Sequence, residues 1–203
     1  MEIQGTSQMN IVTIIKTLRE EIDNTFRRLN NWMQEEEQLK FFKVNDECWS
    51  ISQVLEHISL TNHYLLILIQ KSAKKAFRKS TQVNLEKELD QYDFYNPDLE
   101  LIGKADAFRW ESPVHMVPEG RSSDDVTRKL HSQNEQLLDI LHQLKNGEGI
   151  LHKTVMSVYQ LGKLDVYQYI HFLVLHAKRH IEQMEKIKKT YHAKHFLGNS
   201  TKF

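Results

Sequence analysis

The segment HFLVLHAKRHIEQMEKI, residues 171–187, decides the fold, because its apolar residues recur every three or four positions, as in an amphipathic helix. With Tyr169 placed at 0° and about 100° per residue, the apolar stripe is centred near 0°. His176 then falls at about 340° and His180 at about 20°, whereas His171 falls at about 200°. The pattern predicts two neighbouring histidines that face the interior and a third on the opposite side.

Working outward from this helix, three more segments have the same periodicity. Two helix starts carry the residues of a capping box, Ser50 with Gln53 and Asp165 with Gln168. A third start at Ser122 or Ser123 is followed by two aspartates, which suit the positive end of the helix dipole. The tail from His195 is expected to fray. The predicted helices cover residues 7–39, 50–77, 122–144 and 165–191.

Residues 78–121 lose the helical pattern and contain all three prolines of the chain. They form a long connection, with short helical pieces expected near Leu85–Leu89. Connections of this length often cover a functional site, although they can be purely structural. The sequence predicts an all-α fold, an up-down four-helix bundle with a long crossover between the second and third helices. We expect a single domain over residues 1–203.

Composition excludes several classes of function. The 27 basic and 27 acidic residues balance, which argues against nucleic acid or an anionic membrane as the main partner. The apolar run YLLILI near residue 65 is too short to span a bilayer. The N-terminus is polar without a signal-peptide pattern, and Cys48 is the sole cysteine, so a cytoplasmic location is expected. Cys48 is interpreted as structural or incidental because no histidine partner is evident.

Two adjacent imidazoles in an apolar stripe require polar partners. A divalent metal would satisfy His176 and His180, since residues four apart share one helix face; hydrogen bonds to Glu, Tyr or water are the alternative. His57 lies at about 240° from Ile51, on the edge of the second helix's apolar stripe, and is the candidate third ligand. It could equally be a rim histidine bonded to water. His63, on the other edge, is less suitable.

Two stretches carry a resemblance to a known family. WSISQVLEHI, residues 49–58, has a W-S pair followed by a histidine after six residues. LGKLDVYQYIHFLVLHAKRHIEQMEKI, residues 161–187, has an L-G-x-L start and the pattern H-x-x-R-H-x-x-Q. In this order, and with the long second connection, they resemble the DinB-like superfamily of bacterial four-helix bundles, which includes the YfiT-type metal-dependent proteins. The resemblance covers nearly the whole chain.

The resemblance implies that His57, His176 and His180 hold a divalent metal, nickel or zinc, with water in the open positions. Relatives with assigned chemistry include transferases and isomerases that use low-molecular-weight thiols such as bacillithiol and mycothiol. The expected function is therefore a metal-dependent S-transferase or hydrolase acting on a small molecule, with such a thiol as a further cofactor for transfer. The alternative is a non-catalytic binding or stress-response bundle with a structural or vestigial site. A homodimer is expected, since bundles of this size associate readily.

Four residues are candidates to surround the ligands: Tyr64, Gln183, Glu56 and Arg179. For Glu56 a solvated carboxylate is the favoured interpretation. Arg179 either binds an anionic substrate or pairs with a helix carboxylate. In the crossover, Trp110, His115 and Met116 either line a pocket or simply pack the loop.

Overall fold

The computed structural model of the protein describes residues 10–104, 113–156 and 161–199. Helices α1, α3, α6 and α7 form the predicted all-α four-helix bundle, which is confirmed; the single domain stays a prediction. No helix of the described ranges is both long and apolar enough to cross a membrane. The helices are α1 Ile11–Met33, α2 Glu37–Phe41, α3 Ile51–Ser80, α4 Leu85–Asp90, α5 Pro97–Glu100, α6 Ser123–Gln143 and α7 Val166–Asn199, and the strands are β1 Thr154–Met156 and β2 Gly162–Leu164.

The predicted helix starts are confirmed by their hydrogen bonds. The Ser50 hydroxyl accepts from the backbone N–H of Gln53, and the Gln53 side chain accepts from the backbone N–H of Ser50. Asp165 and Gln168 exchange the same pair of bonds. The Ser122 side chain caps α6. Each cap satisfies amide groups that the first helical turn cannot pair internally.

Four helix boundaries and the strand content differ from the prediction. Helix α1 begins at Ile11 rather than near residue 7, and α3 ends at Ser80 rather than near residue 77. Helix α1 ends at Met33 rather than near residue 39, because the acids of residues 35–37 meet the negative end of its dipole. Helix α7 continues past residue 191, where Lys194 donates to the carbonyl of Val44, and into the tail that was expected to fray, as far as Asn199. Residues 200–203 of that tail lie outside the described ranges. Strands β1 and β2 pair antiparallel but have three residues each, too few for a period-two pattern. Residues 7–9 lie outside the described ranges.

The crossover makes α3 and α6 parallel, so the helices run up, down, down and up. Gln133 on α6 donates to the carbonyl of Ser59 on α3, and further along both helices Gln70 donates to Gln136. The last helix runs parallel to α1: Lys178 pairs with Glu21, and Lys188 with Glu35. A tight turn would have joined α3 to an antiparallel neighbour. The long connection instead returns the chain to the starting end of α3.

The core consists of two apolar clusters at different levels of the bundle. On each main helix a buried polar residue lies between the parts that belong to the two clusters: Thr25 on α1, Asn62 on α3, Gln133 on α6 and His176 on α7. Because these four residues occupy core-facing positions, a polar layer crosses the interior. We call them the polar layer.

The crossover also covers the outer side of α7, so that His171 is buried on the side of the helix where the register placed it. Its side chain is only 7% exposed, although the helical register placed it opposite the apolar stripe. The reason is that α5 and the 3₁₀ turn Leu101–Gly103 pack on α7. His171 Nε2 lies 2.8 Å from Glu100 and Nδ1 lies 3.3 Å from Glu21, so the imidazole bridges α5 and α1.

We expect this bridge to make stability depend on pH. Burial lowers the pKa of His171, but hydrogen bonds to Glu21 and Glu100 outweigh burial and raise it above 6.5. The contribution of His171 to the free energy of unfolding is therefore complete below pH 6.5 and is lost as the pH rises through the folded-state pKa of His171. Hydrogen bonding to His171 lowers the pKa of Glu21 to about 2. The Glu21 carboxylate therefore contributes to stability above pH 4.5, and this contribution is lost as the pH falls toward 2.

Urea unfolding between pH 5 and 9 measures this effect. Wild-type protein should lose stability as the pH rises above 6.5, and His171→Gln should remove that part of the dependence. His131→Gln, on the exposed face of α6, is the matched control and should keep it. An unchanged pH profile in His171→Gln would contradict the assignment.

The close approach of Gly149 to Tyr167 gives a second prediction. An added Cβ at Gly149 would lie 2.7 Å from Cε2 of Tyr167, whose hydroxyl accepts from Gly149 N–H and donates to the Leu144 carbonyl. Gly149→Ala should destabilise the fold by about 1–3 kcal/mol in thermal or urea unfolding, as expected for overpacking. Gly103→Ala meets only the tip of Leu175 at 3.1 Å and should cost less. Equal stability of the two variants would argue against this packing.

Candidate metal centre

Three histidines from two helices converge at one point of the bundle. His57 lies two turns into α3, where the capping box at Ser50 sets the start of the helix, and His176 and His180 lie one turn apart on α7. One ring nitrogen of each lies within 4.8 Å of those of the other two. His176 Nε2 and His180 Nε2 are 3.1 Å apart. The structure thus brings together the three residues that the family resemblance named.

The three imidazoles are held in the neutral form. Burial lowers the pKa of His57, which is 4% exposed, although its bond to Met116 partly opposes this. Burial, with the neighbouring imidazoles, lowers the pKa of His176 well below 6.5, and its side chain is 1% exposed. Burial and His57 lower the pKa of His180 to about 3. The His180 residue as a whole is less completely buried than His57 and His176.

Hydrogen bonds select the tautomer of two of the rings. His57 Nδ1 lies 2.8 Å from the carbonyl oxygen of Met116, and since a carbonyl only accepts, Nδ1 carries the proton. His180 Nδ1 lies 2.8 Å from Oε1 of Gln183 and donates in the same way. In both rings Nε2 is therefore unprotonated, and its lone pair can bind an ion or accept a hydrogen bond. Such bonds at the far nitrogen are typical of metal-binding histidines.

This donor set fits a divalent ion. Two nitrogens of a tetrahedral zinc site, each about 2.0–2.1 Å from the ion, lie about 3.3 Å apart, close to the observed spacing of His176 and His180. Three neutral imidazoles suit zinc or nickel equally. Without an ion, His176 and His180 can share one proton in a hydrogen bond, so the spacing alone does not require metal.

Aromatic rings pack against two of the three histidines. The Trp49 ring centroid lies 4.8 Å from that of His57, and Phe172 stacks on His176 with an interplanar angle of 9°. These rings lower the local polarity, which strengthens electrostatic interactions in the site. Trp49 was noted in the family motif, but its contact with His57 was not predicted. The only signal in the sequence for this contact is that Trp49 directly precedes the helix cap at Ser50.

Glu56 is buried, at 2% exposure, which corrects the favoured interpretation of a solvated carboxylate. Its oxygens accept from the backbone N–H groups of Glu119, Gly120 and Arg121 at 2.9–3.2 Å. These residues belong to the end of the crossover, residues 113–121, which we call the strap. The strap lies across α3 and also supplies the Met116 carbonyl that binds His57.

The other predicted residues are placed as follows. Tyr64 packs edge-on against His115 of the strap at a centroid distance of 4.3 Å, and neither ring is in hydrogen-bond contact with the cluster in the described ranges. Arg179 donates to the backbone carbonyl of Lys104, a partner that the sequence did not indicate. Trp110 lies outside the described residues. Cys48 is an exposed free thiol.

The family assignment rests on a sequence profile of the DinB superfamily that matches residues 15–184. This chain belongs to the DinB superfamily. The matched range contains all three histidines and all four main helices except the first turn of α1 and the part of α7 after residue 184. The uncharacterized protein YuaE of Bacillus subtilis (strain 168) is similar to this DinB-superfamily chain, with 29% identity over 149 residues that cover 72% of this chain and 82% of YuaE. No solved structure gave a significant match.

Removal of the Gln183 acceptor should weaken metal binding. In Gln183→Leu the Nδ1–H of His180 loses its partner, and such losses typically reduce metal affinity 10–100-fold. Zinc affinity measured by competition with a chromophoric chelator tests this. Gln143→Leu makes the same chemical change at the exposed end of α6 and should bind zinc like the wild type. Equal affinities in both variants would mean that Gln183 has no part in the site.

Proposed function

We propose that the protein is a metal-dependent enzyme in which His57, His176 and His180 hold zinc or nickel. The observation that carries this proposal is the convergence of three neutral imidazoles, two with the proton held on the far nitrogen. A divalent ion at such a site acts as a Lewis acid that favours ionisation of a coordinated water or thiol. The proposed reaction is therefore hydrolysis, or transfer of a low-molecular-weight thiol to an electrophile.

The protein residues have separate tasks in this proposal. The three Nε2 atoms bind the ion, and the Met116 carbonyl and the Gln183 amide orient two of the rings. Trp49 and Phe172 exclude water from the protein side of the site. A small-molecule substrate would approach near His180, the least buried of the three histidines.

The substrate class, the cellular location and the oligomeric state are proposals as well. The balanced charge supports a small-molecule substrate over nucleic acid. A cytoplasmic location and a homodimer are proposed from the sequence alone. The competing function is a non-catalytic binding or stress-response bundle with a structural or vestigial metal site. Absence of metal binding would exclude the enzyme, and metal binding without activity would favour this alternative.

The metal content of protein purified without a metal-affinity tag tests the proposal. Wild-type protein should retain or take up one equivalent of zinc or nickel, and His176→Ala should lose at least about 100-fold in affinity because a buried ligand is missing. His63→Ala, an exposed histidine on the same helix as His57, is the control and should bind normally. Absence of binding by the wild type, or equal binding by His176→Ala, would remove the basis of the enzyme proposal.

Activity assays then separate the two reactions. The metal-loaded protein is incubated with an electrophile, with and without bacillithiol or mycothiol, and separately with ester and amide substrates. Thiol-dependent turnover that His176→Ala abolishes supports transfer, and thiol-independent hydrolysis supports a hydrolase. Metal binding without either reaction favours the non-catalytic function.

A further inference from the structure

We propose that Glu56 is a positioning residue for the metal centre, acting through the strap on the orientation of His57. The part of this inference that concerns metal affinity rests on the proposed function. The part that concerns the orientation and proton position of His57 does not. Glu56 does not touch the three imidazoles directly in any contact described above. Its carboxylate is instead the point at which the strap is fastened to α3.

The fastening is built from backbone groups. Three successive N–H groups, from Glu119 to Arg121, point at one buried carboxylate. Gly120 has φ of +87°, a left-handed conformation that lets neighbouring amides converge on a single anion. The Arg121 guanidinium lies 3.7 Å from the same carboxylate. A buried carboxylate with these partners is held firmly, and so is the strap.

The strap in turn determines the proton position on His57. Three residues before Glu119, the carbonyl of Met116 accepts from His57 Nδ1 at 2.8 Å. Glu56 and His57 are adjacent on α3 and point in directions about 100° apart, so the strap is attached on two sides of one helical turn. Met116 also contacts α3 through its sulfur, 3.8 Å from the Thr61 hydroxyl. If the Glu56 attachment is lost, the carbonyl is no longer fixed opposite His57.

A purely structural role for Glu56 makes a different prediction. In that case contact with Trp49 would keep the His57 ring in place, and loosening the strap would leave the tautomer unchanged. Ring packing constrains the plane of an imidazole but does not choose which nitrogen carries the proton, whereas a fixed carbonyl does. The tautomer of His57 is therefore the property that distinguishes a positioning role of Glu56 from a purely structural one.

The experiment uses the full chain in wild-type form and as Glu56→Ala, Glu56→Gln and Glu119→Gln. Glu56→Gln keeps the volume but places an NH₂ group against backbone donors, so it covers the case in which Glu56→Ala does not fold. Glu119→Gln removes a strap carboxylate whose side chain pairs only with Arg121 in the described contacts, and it is the matched control. Circular dichroism verifies folding. The two readouts are the His57 tautomer, from long-range ¹H–¹⁵N correlation spectra of metal-free protein at pH 7.5, and zinc affinity by chelator competition.

We expect wild-type and Glu119→Gln protein to show a single Nδ1–H tautomer at His57 and equal zinc affinity. Folded Glu56 variants should show mixed tautomers and a 10–100-fold loss of zinc affinity. Gly120→Ala, which leaves Glu56 in place and meets no atom within 4 Å of the added Cβ, should shift the tautomer in the same direction through its strained φ alone.

The two proposals fail in different ways. An unchanged His57 spectrum in the folded Glu56 variants and in Gly120→Ala would overturn the positioning role, whatever the zinc affinity. A mixed tautomer in these variants, together with no zinc binding by the wild type, would support the role of Glu56 while removing the proposed metal function.

Discussion

Between Val166 and Ala177, helix α7 has no exposed side chain, so each polar group in this stretch must find its partner inside the protein. Apolar residues meet this condition by packing against α1, α3 and the crossover. His171 meets it with two carboxylates, Glu21 and Glu100. His176 meets it beside His57 and His180. The complete burial of residues 166–177 thus requires the crossover on the outer side of α7 and places His176 of the histidine cluster in the interior.

The level of the cluster along the bundle follows from the core. The polar layer of Thr25, Asn62, Gln133 and His176 separates two apolar clusters, so sliding one helix along another would place these groups against hydrocarbon. Burial of a polar group opposite apolar residues costs free energy, and a polar position in a core can therefore specify helix register. We interpret the layer as a register constraint that keeps His57 level with His176 and His180.

The parts of the fold that follow local rules could be predicted from the sequence. Helix periodicity and capping pairs such as Ser50 with Gln53 act over a few residues, and the spacing of His176 and His180 places both on one face. The failures arise where distant, irregular segments decide the environment. The burial of His171 and Glu56 depends on how residues 97–103 fold back over α7 and residues 113–121 over α3, which no periodicity describes. The role of the Met116 carbonyl could not be read from the sequence because every residue has a carbonyl.

The chain positions of the histidines have a consequence for folding. His57 and His176 lie on helices that are far apart in sequence, so an ion bound to both would hold closed a loop of about 120 residues, whose closure costs the chain conformational entropy when it folds. Such an ion would be a reversible cross-link between the two halves of the bundle. Its affinity would then include the free energy of bringing α3 and α7 together, so that occupancy of the site and persistence of the fold would rise and fall together.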